Sequence, residues 1–263
     1  MKTTIDGLAC HIATAGPAPA PGKPALLLVH GAANDHAAWH DVMPQLAARG
    51  LSVFAPDLPG HGQSAGTPLA SIGALADWLL ALLGKLELDG ATVAGHSMGS
   101  LVALEAAARG GARIGRLALL GASVPMPVSG ALLEAARATP DAACRMVALW
   151  SHTPSFFVAG NGGGHGVWGP GKTLAVMRRN AGTLATDLAN CNDYGNGLAA
   201  AAAVAGPTLL LLGKRDRMTP LRAVQPLQDA LRQATRRELD DCGHAMMVER
   251  PQAVAAALAE FAA

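Results

Sequence analysis

A chain of 263 residues, 51% hydrophobic and only 15% charged, carries enough apolar material for one large core and is not composed like a disordered segment. Its formal net charge is +1 and its basic residues are scattered, Arg178-Arg179 and Arg236-Arg237 being the local pairs, so composition argues against a nucleic-acid partner. Residues 1–7 lack the apolar core of a signal, the apolar runs stop short of membrane-spanning length, and Cys10, Cys144, Cys191 and Cys242 form no C-x-x-C pair, which together predict reduced thiols in a cytoplasmic protein with no membrane contact.

Residues 3–14 read as one or two strands and run into a turn-rich stretch over 15–24. Residues 25–30 (ALLLVH) are a short apolar run closed by Gly31, the pattern of a strand covered on both faces. Trp39, Val42, Met43 and Leu46 follow at helical spacing, and Trp39 is expected in the core. A strand over 51–57, a helix over 72–83, a strand over 91–94, a helix starting near Ser97 and a strand over 116–120 come next. Beyond them lie a strand over 208–212, a helix over 221–231, a strand over 235–239 and a last helix over 251–261. This βα alternation predicts an α/β fold, with a mostly parallel sheet flanked by helices. Between 123 and 206 the alternation loosens into helical fragments, 131–138 and 174–188, around a glycine-rich stretch at 160–171. The expectation is therefore a core domain of residues 1–122 and 207–263, interrupted by a helical insertion at 123–206.

The chemistry concentrates on Gly95-His96-Ser97-Met98-Gly99, which matches G-x-S-x-G. An apolar strand leads into it and a helix-forming run leads out, the context that places a serine on a sharp strand-to-helix turn. Small neighbours two residues to either side allow that turn, and the helix start aims backbone N–H groups at the serine. Four further pieces fall in order around it: His30-Gly31-Ala32 after one strand, 57–64 (DLPGHGQS) after the next, Gly213-Lys214-Arg215-Asp216 after a later one, and Gly243-His244 before the final helix. The order serine, acid, histidine is the α/β-hydrolase order.

On these motifs the chain resembles the α/β-hydrolase superfamily, and within it the capped esterase and meta-cleavage hydrolase group. The resemblance covers the chain outside the insertion, which stands where that group carries a cap. It implies Ser97 as nucleophile, His244 as general base, Asp216 as the partner of His244, and the backbone N–H groups of Ala32 and Met98 as the oxyanion hole. A serine hydroxyl needs an imidazole to take its proton, and a carboxylate on the other ring nitrogen fixes the tautomer. Among rival acids, Asp57 is assigned to the turn 59–62, and Asp240 and Asp241 to polar positions before Gly243. The alternative family position for the acid falls at 121–123, where no carboxylate stands.

Asn34 and the aromatic residues Trp150, Phe157 and Trp168 are the candidates for contact with substrate. The remaining histidines are expected to be structural, His30 in the oxyanion loop and His61 in the glycine turn. The resemblance implies hydrolysis of a small or medium-sized carboxylic ester or related acyl bond through an acyl-enzyme, with no cofactor and no metal, and with specificity set by the insertion. Serine at position 97 separates the chain from the dehalogenase and epoxide-hydrolase branches, which use aspartate there, and from a cysteine-dependent dienelactone type. C–C bond hydrolysis of the meta-cleavage type, or a receptor or lyase on the same fold, stand as alternatives, and a homo-oligomer is compatible with the sequence.

Overall fold

The computed structural model describes residues 1–20, 25–159 and 169–263. Among them the apolar runs form eight strands of one sheet: β1 (Lys2–Ile5), β2 (Leu8–Ala15), β3 (Ala25–Val29), β4 (Ser52–Pro56), β5 (Ala91–His96), β6 (Ile114–Leu120), β7 (Thr208–Gly213) and β8 (Ala234–Leu239). Their order is β1-β2-β4-β3-β5-β6-β7-β8. β1 and β2 pair antiparallel, β2 joins β4 antiparallel, and the pairs from β4 to β8 are parallel. Residues 3–14 thus make two strands that extend a parallel sheet at one edge.

Helices cover both faces. α1 (Met43–Ala47), α2 (Ile72–Lys85) and α3 (Met98–Gly110) precede β6; α4 (Gly130–Ala138), α5 (Pro140–Trp150), α6 (Pro154–Ala159), α7 (Gly169–Arg179), α8 (Leu184–Asp193) and α9 (Gly197–Ala203) lie between β6 and β7; α10 (Gln225–Ala230), α11 (Met246–Glu249) and α12 (Pro251–Ala262) follow. Alternate residues of each central strand enter opposite apolar clusters, as a period of two requires. Leu27, Val29, Leu117, Leu119, Leu210 and Leu212 face α2, α3, α9 and α10. Leu26, Leu28, Ala118, Leu120, Leu209 and Leu211 face α1 and α12, with Trp39 fully buried among them. No helix among the described residues is long and apolar enough to cross a membrane.

The helices after β6 build a third cluster of their own, from Leu132, Ala136, Ala143, Cys144, Ala148, Leu174, Met177, Leu184 and Leu188, joined by Ala33 from the loop after β3. α9 instead packs on α3, with Ala200 and Ala201 buried in the first cluster. The single helix expected over 174–188 is two helices, α7 and α8, separated by a 3-10 turn at Ala181–Thr183. The break falls where polar side chains take up the local backbone: Asn180 Nδ2 donates to the Val176 carbonyl at 3.1 Å and Thr183 Oγ1 to the Asn180 carbonyl at 3.0 Å. α5, which opens on Pro140 at its first turn, was not legible as a separate helix.

Asp57, just beyond β4, ties the front of the sheet together. Its Oδ1 accepts from the His36 backbone N–H and from His36 Nδ1, both at 2.7 Å, and its Oδ2 accepts from Gln63 N–H at 2.9 Å and His11 Nδ1 at 3.1 Å. Burial alone would raise the Asp57 pKa, but the His36 and Gln63 hydrogen bonds outweigh it and hold the group at about 2. The same bond raises His36 against the opposing effect of burial. Asp57 contributes stability above its ordinary value of 3.8 that is lost as pH falls through about 2. His36 contributes stability below its ordinary value of 6.5 that is lost as pH rises through its raised value. The difference in melting temperature between wild type and His36→Gln is therefore expected to be largest between about pH 4 and 6.5 and to narrow on both sides, in thermal melts across pH 3–9. A difference independent of pH would show that the pair is not ionised.

Candidate active site

Ser97 sits at φ +54°, ψ −122°, between the end of β5 and the start of α3. Such a turn stands only because its neighbours have no Cβ. A side chain on Gly95 would run into the Gly99 carbonyl, and one on Gly99 into the Val29 carbonyl. The Ser97 N–H donates to the Leu120 carbonyl at 2.9 Å, and the Ser97 carbonyl accepts from both the N–H and the hydroxyl of Ser100. The Met98 side chain is fully buried in the first apolar cluster. What Met98 brings to the turn is its N–H, at the first helical position, where no intrahelical acceptor exists.

His244 and Asp216 come together from the loops after β8 and β7. His244 Nδ1 lies 2.8 Å from Asp216 Oδ2, with Asp216 5% exposed and His244 3%. The Nδ1 proton therefore points at the carboxylate, leaving Nε2 as the basic nitrogen. Asp216 is locked by its own loop: Oδ1 accepts from the N–H groups of Met218 and Thr219, and Oδ2 from the Thr219 hydroxyl at 2.7 Å. Burial would raise its pKa; the His244 charge and these hydrogen bonds more than cancel that and lower it. The backbone of Gly121, at φ +55°, passes so close that an added Cβ would stand 3.1 Å from two atoms of the His244 ring. The alternative acid position is thus adjacent to the imidazole and is filled by bare backbone.

His96 adds a support that the motif did not announce. Its Nε2 donates to the His244 carbonyl at 2.8 Å and its ring lies 4.7 Å from that of His244, centre to centre. Burial, then the nearby His244, push its pKa down to about 3, and its Nδ1 has no hydrogen-bond partner among the described residues. A neutral His96 thus props the His244 loop without adding charge to the site.

Ser97, His244, Ala32 and Asn34 line one cavity of about 510 Å³, lined on the far side by the helices between β6 and β7 through residues such as Leu132, Trp150 and Leu184. The loop after β3 is held in part by hydrogen bonds within it. His30 Nδ1 donates to the Gly31 carbonyl at 2.9 Å, and Asn34 Nδ2 to the Ala32 carbonyl at 2.9 Å. Asn34 therefore both faces the cavity and braces the loop. The side chain of Phe157 and the whole of Trp168 lie outside the described residues. Asp240 pairs with Lys214 at 2.7 Å, and Asp241 with Arg215 and Arg250, away from His244. His11, His36 and Asp57 form a group that could hold a metal ion, their donor atoms within 4.8 Å of one another, but none of them lines the Ser97 cavity.

Residues 26–257 match the model of the alpha/beta hydrolase family, and the chain belongs to that family. It is 33% identical to a pimeloyl–(acyl-carrier protein) methyl ester esterase of Aromatoleum aromaticum over 248 residues, covering 88% of this chain and 94% of that protein. It is 26% identical to a 2-hydroxymuconate semialdehyde hydrolase of Pseudomonas sp. strain CF600, over 90% of this chain and 86% of the other. In fold it is similar to the enol-lactonase of Burkholderia xenovorans LB400, with a TM-score of 0.85, 21% identity and 99% of each chain covered.

The Thr219 hydroxyl and the bare Gly121 backbone, like the His96 prop, are features that a motif search passes over. Thr219→Val is expected to lower kcat by about 10-fold by removing one hydrogen bond that orients Asp216, far less than the loss of ~10⁴ scaled from a triad acid changed to its amide. Gly121→Ala places a methyl against the imidazole and is expected to cost at least about 100-fold in kcat in a protein that still folds, as small misplacements of a catalytic group do. Steady-state kinetics with circular dichroism on each variant checks both; full activity in Gly121→Ala would mean that His244 works from another position.

Proposed function

We propose that this protein is a serine carboxylesterase that hydrolyses a small or medium-sized ester through an acyl-enzyme, with Ser97 as nucleophile, His244 as general base and Asp216 as the orienting acid. The observation that carries the reading is the oriented His244–Asp216 pair, 2.8 Å apart and buried, whose His244 lines the same cavity as a serine held in a strained turn. In this reading Ser97 Oγ attacks the ester carbonyl carbon while its proton passes to His244 Nε2. The carbonyl oxygen takes the negative charge and is met by the N–H groups of Ala32 and Met98. Collapse of the tetrahedral intermediate breaks the bond to the alcohol oxygen, which leaves with the proton from His244. Water then repeats the sequence on the acyl-enzyme and releases the acid.

The insertion at 123–206 acts as a cap over the acyl chain. Its contribution to the cavity wall includes an aliphatic stretch of Val128, Leu132, Val147, Leu184 and Leu188, with Lys172 and Arg179 as charged members, and a volume of about 510 Å³ lies within the range of small-molecule sites. An esterase relative at 33% identity, acting on a methyl ester, supports a substrate with a small alcohol and a longer acyl part. The C–C hydrolase alternative rests on the more distant relative at 26% identity.

A panel of p-nitrophenyl esters of increasing acyl length, run beside a semialdehyde dienoate, tests the reading directly. Turnover of esters with an optimum at medium acyl length is expected; turnover of the dienoate alone would replace ester by C–C cleavage. Ser97→Ala is expected to lower kcat by about 10⁴- to 10⁶-fold without unfolding the protein and to abolish labelling by a fluorophosphonate probe. Labelling that survives in Ser97→Ala would place the nucleophile elsewhere. Trp150→Ala should reorder the acyl preferences, and an unchanged ranking would remove Trp150 from the pocket.

A further inference from the structure

The loop that follows β3 is not held by the sheet alone. Ala33 lies at φ +50°, a region disfavoured for any residue with a Cβ. Its side chain is fully buried in the apolar cluster of the insertion helices. Its N–H donates to Asp187 Oδ2, on α8, at 2.8 Å. The same oxygen accepts from the Thr183 hydroxyl at 3.0 Å and from His61 Nε2 at 2.9 Å, and Asp187 and His61 are each 1% exposed. His61 Nδ1 donates to the Pro59 carbonyl at 3.0 Å. Both ring nitrogens therefore act as donors, which only the imidazolium can do. Burial works against that charge, but the bond to Asp187 and its charge raise the His61 pKa on balance.

The consequence falls on the residue next door. The peptide unit between Ala32 and Ala33 is clamped at both ends, its carbonyl by Asn34 Nδ2 and its N–H by Asp187. The preceding unit, which carries the Ala32 N–H, is held through the Gly31 carbonyl by His30 Nδ1 at 2.9 Å and by the Asn34 N–H at 3.2 Å. Of these anchors only Asp187 comes from outside the loop and its own strand. Neighbouring ties run the same way: Asn180 Oδ1 accepts from Gly62 N–H at 2.7 Å, and Asp35 accepts from Asn180 Nδ2 and Arg179.

We infer that Asp187 is a positioning residue for the oxyanion hole: from within the insertion, its carboxylate fixes the peptide of Ala33 and so aims the Ala32 N–H at the developing oxyanion. This rests on the reading of Ala32 as an oxyanion donor. It gives the insertion a part in the chemical step as well as in substrate choice. The charge on His61 and the Thr183 hydroxyl hold the carboxylate in place, and the carboxylate holds the loop.

The test is steady-state hydrolysis of a p-nitrophenyl ester, with inhibition by a trifluoromethyl ketone whose serine adduct carries the oxyanion, on wild type and four variants. Removal of one oxyanion donor costs 10²- to 10³-fold, so misaiming it in Asp187→Ala is expected to lower kcat by about 10- to 100-fold, with KM within about threefold and the ketone weakened in proportion to kcat. Asp187→Asn keeps an oxygen that can accept from Ala33 and should recover most of that loss, leaving a deficit of about three- to tenfold. Thr183→Val removes one of the hydrogen bonds that hold the carboxylate but leaves the bond to Ala33; it should lower kcat by about two- to fivefold, less than Asp187→Ala, with the ketone weakened in proportion. A folded Asp187→Ala with wild-type kcat, or with KM alone altered, overturns the proposal, as does a Thr183→Val loss larger than that of Asp187→Ala, which would mean that Thr183 does not act through Asp187. If Asp187→Ala does not fold, Asp187→Asn decides: unchanged kcat and unchanged ketone affinity overturn the proposal. Ser97→Ala, the fourth variant, separates the two levels. Activity that survives in it overturns the reading of the site and this proposal together, whereas strict dependence on Ser97 with indifference to Asp187 overturns this proposal alone.

Discussion

The backbone of Ser97 is the constraint on which the rest of the molecule turns. A residue with a Cβ at φ +54° is strained by roughly 1–3 kcal/mol, and such a conformation persists only where its surroundings over-determine it. Here they do. β6 takes the Ser97 N–H, Ser100 returns two donors to its carbonyl, and the close passage of Gly95 and Gly99 against neighbouring backbone leaves no room for another path. The turn sets the serine at the end of β5, directly before the first N–H groups of α3. Because β5 lies beside β3 on one side and β6 on the other, with β7 and β8 beyond β6, the loops after these strands open on one edge of the sheet. Residues more than a hundred positions apart are thereby brought to one cavity.

Around that edge the environment sorts chemically identical histidines into different states. His30 and His96 are buried without a carboxylate partner, and burial drives them down to about 4 and about 3, so they act as neutral struts. His61 is just as buried, but faces Asp187 and is pulled the other way. Partnership, then, and not depth of burial, decides the charge. One consequence is that His96, in ring contact with His244, adds no positive charge beside that imidazole.

Much of the core was legible because its pattern is redundant. Parallel strands covered on both faces read as plain apolar runs, and the strand-to-helix context of Ser97 with the order of Asp216 and His244 left few ways to arrange the set. The segment between β6 and β7 was less legible because its helices are short and amphipathic, and because local hydrogen bonds of Asn180 and Thr183 divide what periodicity alone joins into one helix. Asp187 was invisible for a different reason. A buried acid looks in sequence like any exposed helical acid, and its partners Ala33 and His61 stand more than a hundred residues away. Thr219 lay closer to view, since an aspartate followed at two and three positions by N–H groups it can accept from is a common turn.

The strand order also governs what a ribosome-bound chain can do. β5 finds β3 and β6 soon after it is made, so Ser97 and its turn can form early, but β6 must wait for β7 while residues 121–207 are synthesised. Through that interval the growing sheet presents an open apolar edge, and parallel pairing across so long a separation is slow. His244 arrives only after β8 has closed the row. Ser97 is thus placed in the sheet before the chain carries His244, and the cavity that the two share is complete only once β8 is in the row.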